Sequence, residues 1–515
     1  MQDIYLYNKQ TKEKQVKLDV CVAFAGIESF ALSSLGYLWI YKTLDEIEDI
    51  SVSRLTSDTE SAHFNIKHCN LIAFSFSFDL DFLTFLAMFD KHNIPYKTNE
   101  RGEDYPLICA GGPVVTANPE PYKDIFDFFI IGDGEDVTIK LTNIIKNNKD
   151  KSKSEILKLL SELEGIYVPN LNNKKVVKIT KKLTDCIYTP ILSENAFFKH
   201  TFIVEVERGC SNCCGFCLAS YLNLPIRFMP YESLRKVIDM GLTKTNKIAL
   251  LGAQISAYPY FEEICDYIYN RIASGEHIEM SISSLRVDAV KPNIVKTLVV
   301  AGQKNSTLAI EAGSERLRKV INKHITESQI LEAVKIAKES GLKGLKFYGM
   351  IGLPTENQDD LNEIVSLAKK IKSANKGFNI SFGFSTFVPK PHTPFQWFGR
   401  DSIKSIETKS NFLKKELHKL GIKSTFSSAK WDYWQAVLSR GDNTLTDFII
   451  EVYKLGGKLG AFNAAAKKYN INADKFANSD IAFEKDLPWD FIDIKPGKEF
   501  LINENKRLLS YTAGV

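Results

Sequence analysis

The sequence predicts an α/β protein in three parts: an amino-terminal doubly wound (Rossmann-like) domain, a partial (β/α)6 TIM-like barrel, and a mainly helical carboxyl-terminal region. Two series of apolar runs alternating with helix-like segments carry that reading, together with a change of pattern after residue 400. In the first series "DVCVAFAG", "NLIAFSFSF" and "PLICAGGPVV" read as buried parallel strands, each followed by a helical stretch. The second series has "TFIVEVE", "KIALLGAQI", "HIEMSISSL", "STLAIEAG", "LKGLKFYGMIG" and "FNISFGFSTFV" as strands. Amphipathic segments separate them at intervals of roughly 30–45 residues, one βα unit each. Six such units make part of a barrel, whose chemistry belongs on the loops after its strands. The expected divisions are residues 1–147, a polar connector over 148–195, the barrel over 196–400 and the carboxyl-terminal region over 401–515.

Composition sets limits. The 515 residues are 44% apolar and 25% charged, with 66 basic against 62 acidic residues and a net charge of +4. That balance argues against a surface that coats nucleic acid generally, while leaving nucleic acid open as a substrate. The first twenty residues have no apolar core before a cleavage site, and no run reaches about 18 apolar residues, so no membrane partner is expected. A cytoplasmic location follows as the expectation, and in that reducing setting clustered cysteines hold metal or do chemistry.

Four of the nine cysteines fall within "CSNCCGFC", Cys210 to Cys217. Zinc prefers two Cys-x-x-Cys knuckles separated by a spacer, whereas here Cys213 and Cys214 abut. Setting Cys213 aside leaves C-x3-C-x2-C: Cys210, Cys214 and Cys217. Three thiolates in one tight loop can ligate three irons of a 4Fe-4S cluster and leave the fourth iron open for a chelating small molecule.

This motif, with Phe216 before its last cysteine and a barrel strand before the loop, resembles that of the radical S-adenosylmethionine (SAM) superfamily. The resemblance implies that the open iron binds the amino and carboxylate groups of SAM. Reductive cleavage would then give a 5′-deoxyadenosyl radical, with an electron donor such as flavodoxin or ferredoxin as partner. It also places cofactor-binding residues at the strand ends. Gly252 and Gln254 of "LLGAQISAYP" stand where relatives meet the methionine amino group, although their usual Gly-Gly-Glu is absent. Ser284 and Arg286 suit the ribose hydroxyls and the carboxylate. Glu311, Ser314 and Arg316 follow at the fourth strand, and Gly352 and Glu356 at the segment under the adenine. His392 and Gln396 of "VPKPHTPFQW" are candidates to face the substrate.

The first domain narrows the reaction. "AGGPVVTANPEP" and "GDGED", with "LSRGD" and "LPWDFIDIKPGKEFL" downstream, resemble radical SAM proteins with an amino-terminal cobalamin-binding-like domain. The resemblance implies cobalamin against Gly111, Gly112, Gly132 and Gly134, and methyl transfer or a related modification of an unidentified substrate. The histidine motif that ligates cobalt, Asp-x-His-x-x-Gly, is replaced by "DKHNIP", so His92 is expected at a helix end and not on cobalt. One alternative is a methylthiotransferase with a second cluster on Cys21, Cys69 and Cys109, but their apolar surroundings favour core positions. The other is a non-catalytic protein whose metal loop braces a binding module.

Overall fold

In the computed structural model, which describes residues 3–7, 16–61, 65, 68–171 and 175–512, the first apolar series forms one sheet. Strands β1 (Leu18–Phe24), β2 (Ile50–Leu55), β3 (Leu71–Ser75), β4 (Leu107–Gly111) and β5 (Phe128–Ile130) pair in parallel in the order β2-β1-β3-β4-β5. A short β6 (Ile166–Tyr167) adds antiparallel to β5. It lies in the stretch expected to be connector, where two residues carry too little periodicity to announce a strand. Because the order reverses between β1 and β3, the carboxyl ends of these strands diverge and leave a crevice. One face packs on the helices Leu35–Asp45 and Glu135–Asn147. The other carries Phe82, Phe85 and Phe89 of the helix Phe82–Lys91.

The second series forms a parallel run in chain order. Strands β7 (Thr201–Glu205), β8 (Lys247–Leu251) and β9 (Glu279–Ile282) make one sheet. Strands β10 (Asn305–Glu311), β11 (Gly344–Ile351), β12 (Asn379–Thr386) and β13 (Lys423–Phe426) make another, and a parallel bridge from Leu285 to Leu308 joins the two. The partial barrel therefore has a seventh strand beyond the six read from the sequence. "KSTF" escapes notice because it is a polar edge strand with no buried residue. Capping follows sequence logic: Thr326, Asn357 and Ser402 each accept a backbone N–H in the first turn of the helix they start.

The carboxyl-terminal region is mainly helical and does not stand apart. Its helices Ala429–Arg440, Leu445–Lys454 and Leu459–Lys468 bury Trp434, Phe448 and Phe462 in the same apolar cluster as Phe82 and Phe85. Burial of each such aromatic is worth roughly 1.5–3 kcal/mol, so this face holds the region firmly on the first domain. Polar clamps reinforce it. Asn118 of "TANPEP" donates to Ser439 O at 3.2 Å and Gly441 O at 2.8 Å, within "LSRGD".

Arg208 joins the first domain to the barrel. It lies just beyond β7 and donates to Asp133 at 2.8 Å, Glu135 at 2.9 Å and Glu205 at 2.8 Å, while Arg227 reaches Asp133 at 2.5 Å. Burial works against the charged guanidinium, but Glu205, Glu135 and Asp133 outweigh it and hold the Arg208 pKa above its ordinary value. Removing one member of such a buried network strands the others' charges. Arg208→Ala is expected to destabilise the fold by ~3–5 kcal/mol in urea unfolding of the cluster-free protein. A loss below about 1 kcal/mol would mean the network behaves as a solvated surface set.

Candidate active site

The cysteine loop begins where β7 ends. Glu207 and Arg208 pair antiparallel with Phe228 and Arg227, and the chain then turns at Gly209 (φ +101°), where a Cβ would meet Asn223 O at 2.6 Å. The loop is held from three sides. Asn322 Nδ2 donates to Asn212 O at 2.8 Å and Cys213 O at 3.1 Å, and Tyr221 Oη donates to Cys213 O at 2.9 Å. A Cβ on Gly215 would come within 2.8 Å of Phe395 and 2.9 Å of Leu508, so the turn after β12 and the last helix, Lys498–Ser510, press on the loop together. That contact with the last helix has no signal in the sequence.

Cys210, Cys214 and Cys217 are close enough to act on one another electrostatically. Burial pushes the metal-free Cys214 thiol up to about 12, and metal binding must displace that proton. All nine cysteines are free thiols. Among the described residues no three Cys, His, Asp or Glu side chains converge on a single ion. The fit of the three cysteines to a 4Fe-4S cluster rests on their donor set, three thiols on one short loop, which suits three corners of a cluster. Cys213 adopts φ +45°, and its thiol turns back to Cys210 O at 3.8 Å.

Cationic groups face these sulfurs. Lys323 lies near Cys214 and pairs with Glu311 at 2.9 Å. Arg286 senses Cys214 and Cys210 while holding Asp288 through two hydrogen bonds of 2.8 Å. Ser284 is half-buried just before it. The Cys210 thiol donates to Gln254 Oε1 at 3.1 Å, so the end of β8 does meet the loop. Phe216 packs at the barrel mouth against the cluster of Leu317, Phe387 and Phe395.

Other expected residues are placed differently. Ser314 caps the helix Glu315–Val320 and bonds Asp360, which also pairs with Arg316. Glu356 is buried against Lys409 at 2.7 Å and accepts from Gly352 N at 2.8 Å. In this structure these side chains brace the loops at the mouth. The substrate candidates His392 and Gln396 line a separate cavity of about 390 Å³ and are likewise held by internal partners. His392 Nε2 lies 3.1 Å from Ala117 O, and burial drives its pKa down to about 3. Gln396 Oε1 accepts from His392 N and from Trp489 Nε1, both at 2.8 Å. The pair ties the barrel to the first domain and to "LPWDF".

At the carboxyl ends of β1, β3, β4 and β5 lies a cavity of about 350 Å³. Its walls include Gly111, Gly112, Gly132 and Gly134 from the first domain and Ile187, Glu205, Arg208 and Leu251 from the barrel side. Two of the glycines are there for a different reason than the expected one. A Cβ on Gly112 would meet Phe76 O at 2.5 Å and one on Gly132 would meet Ile179 O at 2.3 Å, with φ of +118° and +105°. They admit the protein's own backbone. At Gly111 and Gly134 a Cβ would find nothing closer than 3.6 Å.

A doubly wound sheet facing a partial barrel, with a three-thiol loop after the first barrel strand, defines an iron–sulfur enzyme of the class that cleaves SAM. Residues 204–368 match the radical SAM superfamily model, and residues 37–169 match the model for radical SAM proteins, N-terminal. Uncharacterized protein MJ0966 of Methanocaldococcus jannaschii is 35% identical over 67% of this chain and 73% of its own length. The chain belongs to the radical SAM superfamily, whose cofactors are a 4Fe-4S cluster and SAM. The tRNA-2-methylthio-N(6)-dimethylallyladenosine synthase of Pelagibacter ubique is 23% identical, over 57% of this chain and 62% of its own. In fold the chain resembles two solved structures. One is the cobalamin-dependent SAM radical enzyme OxsB with aqua-cobalamin and SAM bound, at TM-score 0.55 and 14% identity over 96% of this chain and 79% of that one. The other is the radical SAM methyltransferase TsrM from Kitasatospora setae, at TM-score 0.52 and 10% identity over 74% of each chain.

Anaerobically prepared protein is expected to hold about four irons per chain. Cys210→Ala, Cys214→Ala or Cys217→Ala should abolish that content and Cys213→Ala should keep it; sulfide-free zinc in the wild type would refute the assignment. For Arg286, placed by resemblance beside the SAM carboxylate, Arg286→Ala should retain iron and weaken SAM binding by ~1.5–3 kcal/mol. Unchanged affinity would leave Arg286 as the partner of Asp288 alone.

Proposed function

We propose that this enzyme is a cobalamin-dependent radical SAM methyltransferase. The observation that carries the reading is the cavity at the divergent end of the first sheet, which opens toward Leu251, the residue before Gly252 at the end of β8. Cysteine loop and cavity therefore flank the same strand end. The cavity's enclosed volume suits part of a corrinoid, with the remainder in the open cleft. Gly111 and Gly134 leave space at the rim, while Tyr37, Trp39 and Leu251 supply apolar wall. A bound cobalamin supplies a cobalt centre able to carry a methyl group between SAM and a substrate. Both solved structures named above hold cobalamin.

Among the described residues that line the cavity there is no histidine. His92 caps the far end of the helix Phe82–Lys91, with Glu60 at 3.4 Å. The methylthiotransferase alternative needs Cys21, Cys69 and Cys109 around one cluster. Cys21 aligns with Ile72 and Ile108, and Cys109 with Ala73. Neighbouring strand residues point to opposite faces, so Cys21 and Cys109 lie on opposite sides of the sheet, in different apolar clusters. RNA stands among the substrate choices through the tRNA-modifying relatives, and an external one-electron donor is required to reduce the cluster.

Protein offered hydroxocobalamin should retain about one cobalt per chain, and His92→Ala should leave the cobalamin absorption spectrum unchanged. Failure to retain cobalt would remove the support for methyl transfer.

A further inference from the structure

Glu207 lies three residues before Cys210 and is 1% exposed. Its Oε1 accepts from Gln254 N, whereas its Oε2 is buried with no hydrogen-bond partner. Gly252 makes room for it: a Cβ there would fall 2.5 Å from Glu207 Cγ. The side chain of Gln254 turns the other way, to Cys210. Glu207 is thus one hydrogen bond removed from a residue that touches a cluster ligand. The neighbouring charges do not neutralise it. Arg208 is committed to Asp133, Glu135 and Glu205, and Lys323 to Glu311. A carboxylate withdrawn from water with an unmet oxygen is costly, burial pushing its pKa up to about 7, and a cationic ligand donating to that oxygen would offset the cost.

We propose that Glu207 is the counter-ion of the α-ammonium of SAM. Resting on membership of the radical SAM superfamily, the assignment supplies the charge that "LLGAQ" lacks. Where relatives have Gly-Gly-Glu on the second barrel strand, this chain has Gly252, Ala253 and the neutral Gln254, and the carboxylate arrives from the end of the first strand. An ammonium offers three donors, one of which Glu207 Oε2 accepts. Gln254 N fixes the carboxylate through Oε1.

The test is equilibrium binding to the full-length, iron-loaded protein of two ligands: SAM, and an analogue with hydrogen in place of the α-amino group. Wild type should bind the analogue about tenfold more weakly than SAM, and Glu207→Gln should bind SAM about tenfold more weakly while treating the analogue as wild type does. Gln254→Glu added to Glu207→Gln should restore the preference for SAM. If Glu207→Gln loses iron, Glu207→Asp, which keeps the charge but draws it back, is expected to show a reduced preference. Equal losses for both ligands, or none for either, would overturn the proposal while leaving superfamily membership intact. Iron-loaded wild type that binds no SAM would overturn both.

Discussion

The arrangement depends on one buried guanidinium. Arg208 stands two residues before the first cluster cysteine and holds Asp133 and Glu135, which lie on the turn that rims the first-domain cavity. A single side chain therefore fixes how far the cavity wall stands from the cysteine loop. Burial would push the Asp133 carboxyl up, but Arg208 and Arg227 outweigh it and hold Asp133 below its ordinary range, so its attraction is present through neutral pH. Glu205 keeps a raised pKa because burial is the larger effect there. The network is worth having only when complete, since each missing partner leaves a desolvated charge. The distance between the cavity wall and the cysteine loop is thereby part of the folded state.

Much of this was legible in the residues. Continuous apolar runs identified the six barrel strands and three of the five parallel strands of the first sheet, because buried strands need no polar face; Ile50–Leu55 was not read, and Phe128–Ile130 reads as part of a helical stretch. The C-x3-C-x2-C spacing, with Cys213 set aside because it abuts Cys214, pointed to Cys210, Cys214 and Cys217 as the cluster ligands that the iron analysis tests. The short strands Lys423–Phe426 and Ile166–Tyr167 were not legible, since edge strands of four and two residues carry no distinctive pattern. Glu207 was passed over for another reason. An acidic residue at a strand end reads as solvent-facing, and its burial depends on Gly252, 45 positions away in the chain.

The polar motifs near the end of the barrel take a structural part that the sequence does not announce. His392, Gln396 and Trp489 share the residue types of a binding site, and all three are buried. Their polar atoms meet one another and Ala117 O, joining barrel, first domain and carboxyl-terminal region. Asn118 does the same for "LSRGD". Where three chain regions pack on one another, the backbone groups at the junction must be satisfied without water, and long polar side chains are the means. Sequence alone cannot separate such a junction from a substrate pocket, because both need hydrogen bonds in an apolar setting.

Charge around the cysteine loop follows the same logic with the opposite outcome. Lys323 and Arg286 face the sulfurs, and each has a carboxylate of its own, Glu311 and Asp288. The pairs keep the metal-free loop close to neutral while placing positive charge where a cluster bearing thiolates is anionic. Ser314, Arg316 and Asp360 complete a closed set farther out. Glu207 departs from that pattern, having a backbone donor on one oxygen and none on the other. In a site where the neighbouring ions are matched, that unmatched oxygen beside the cysteine loop is the observation on which the proposal for the SAM ammonium rests.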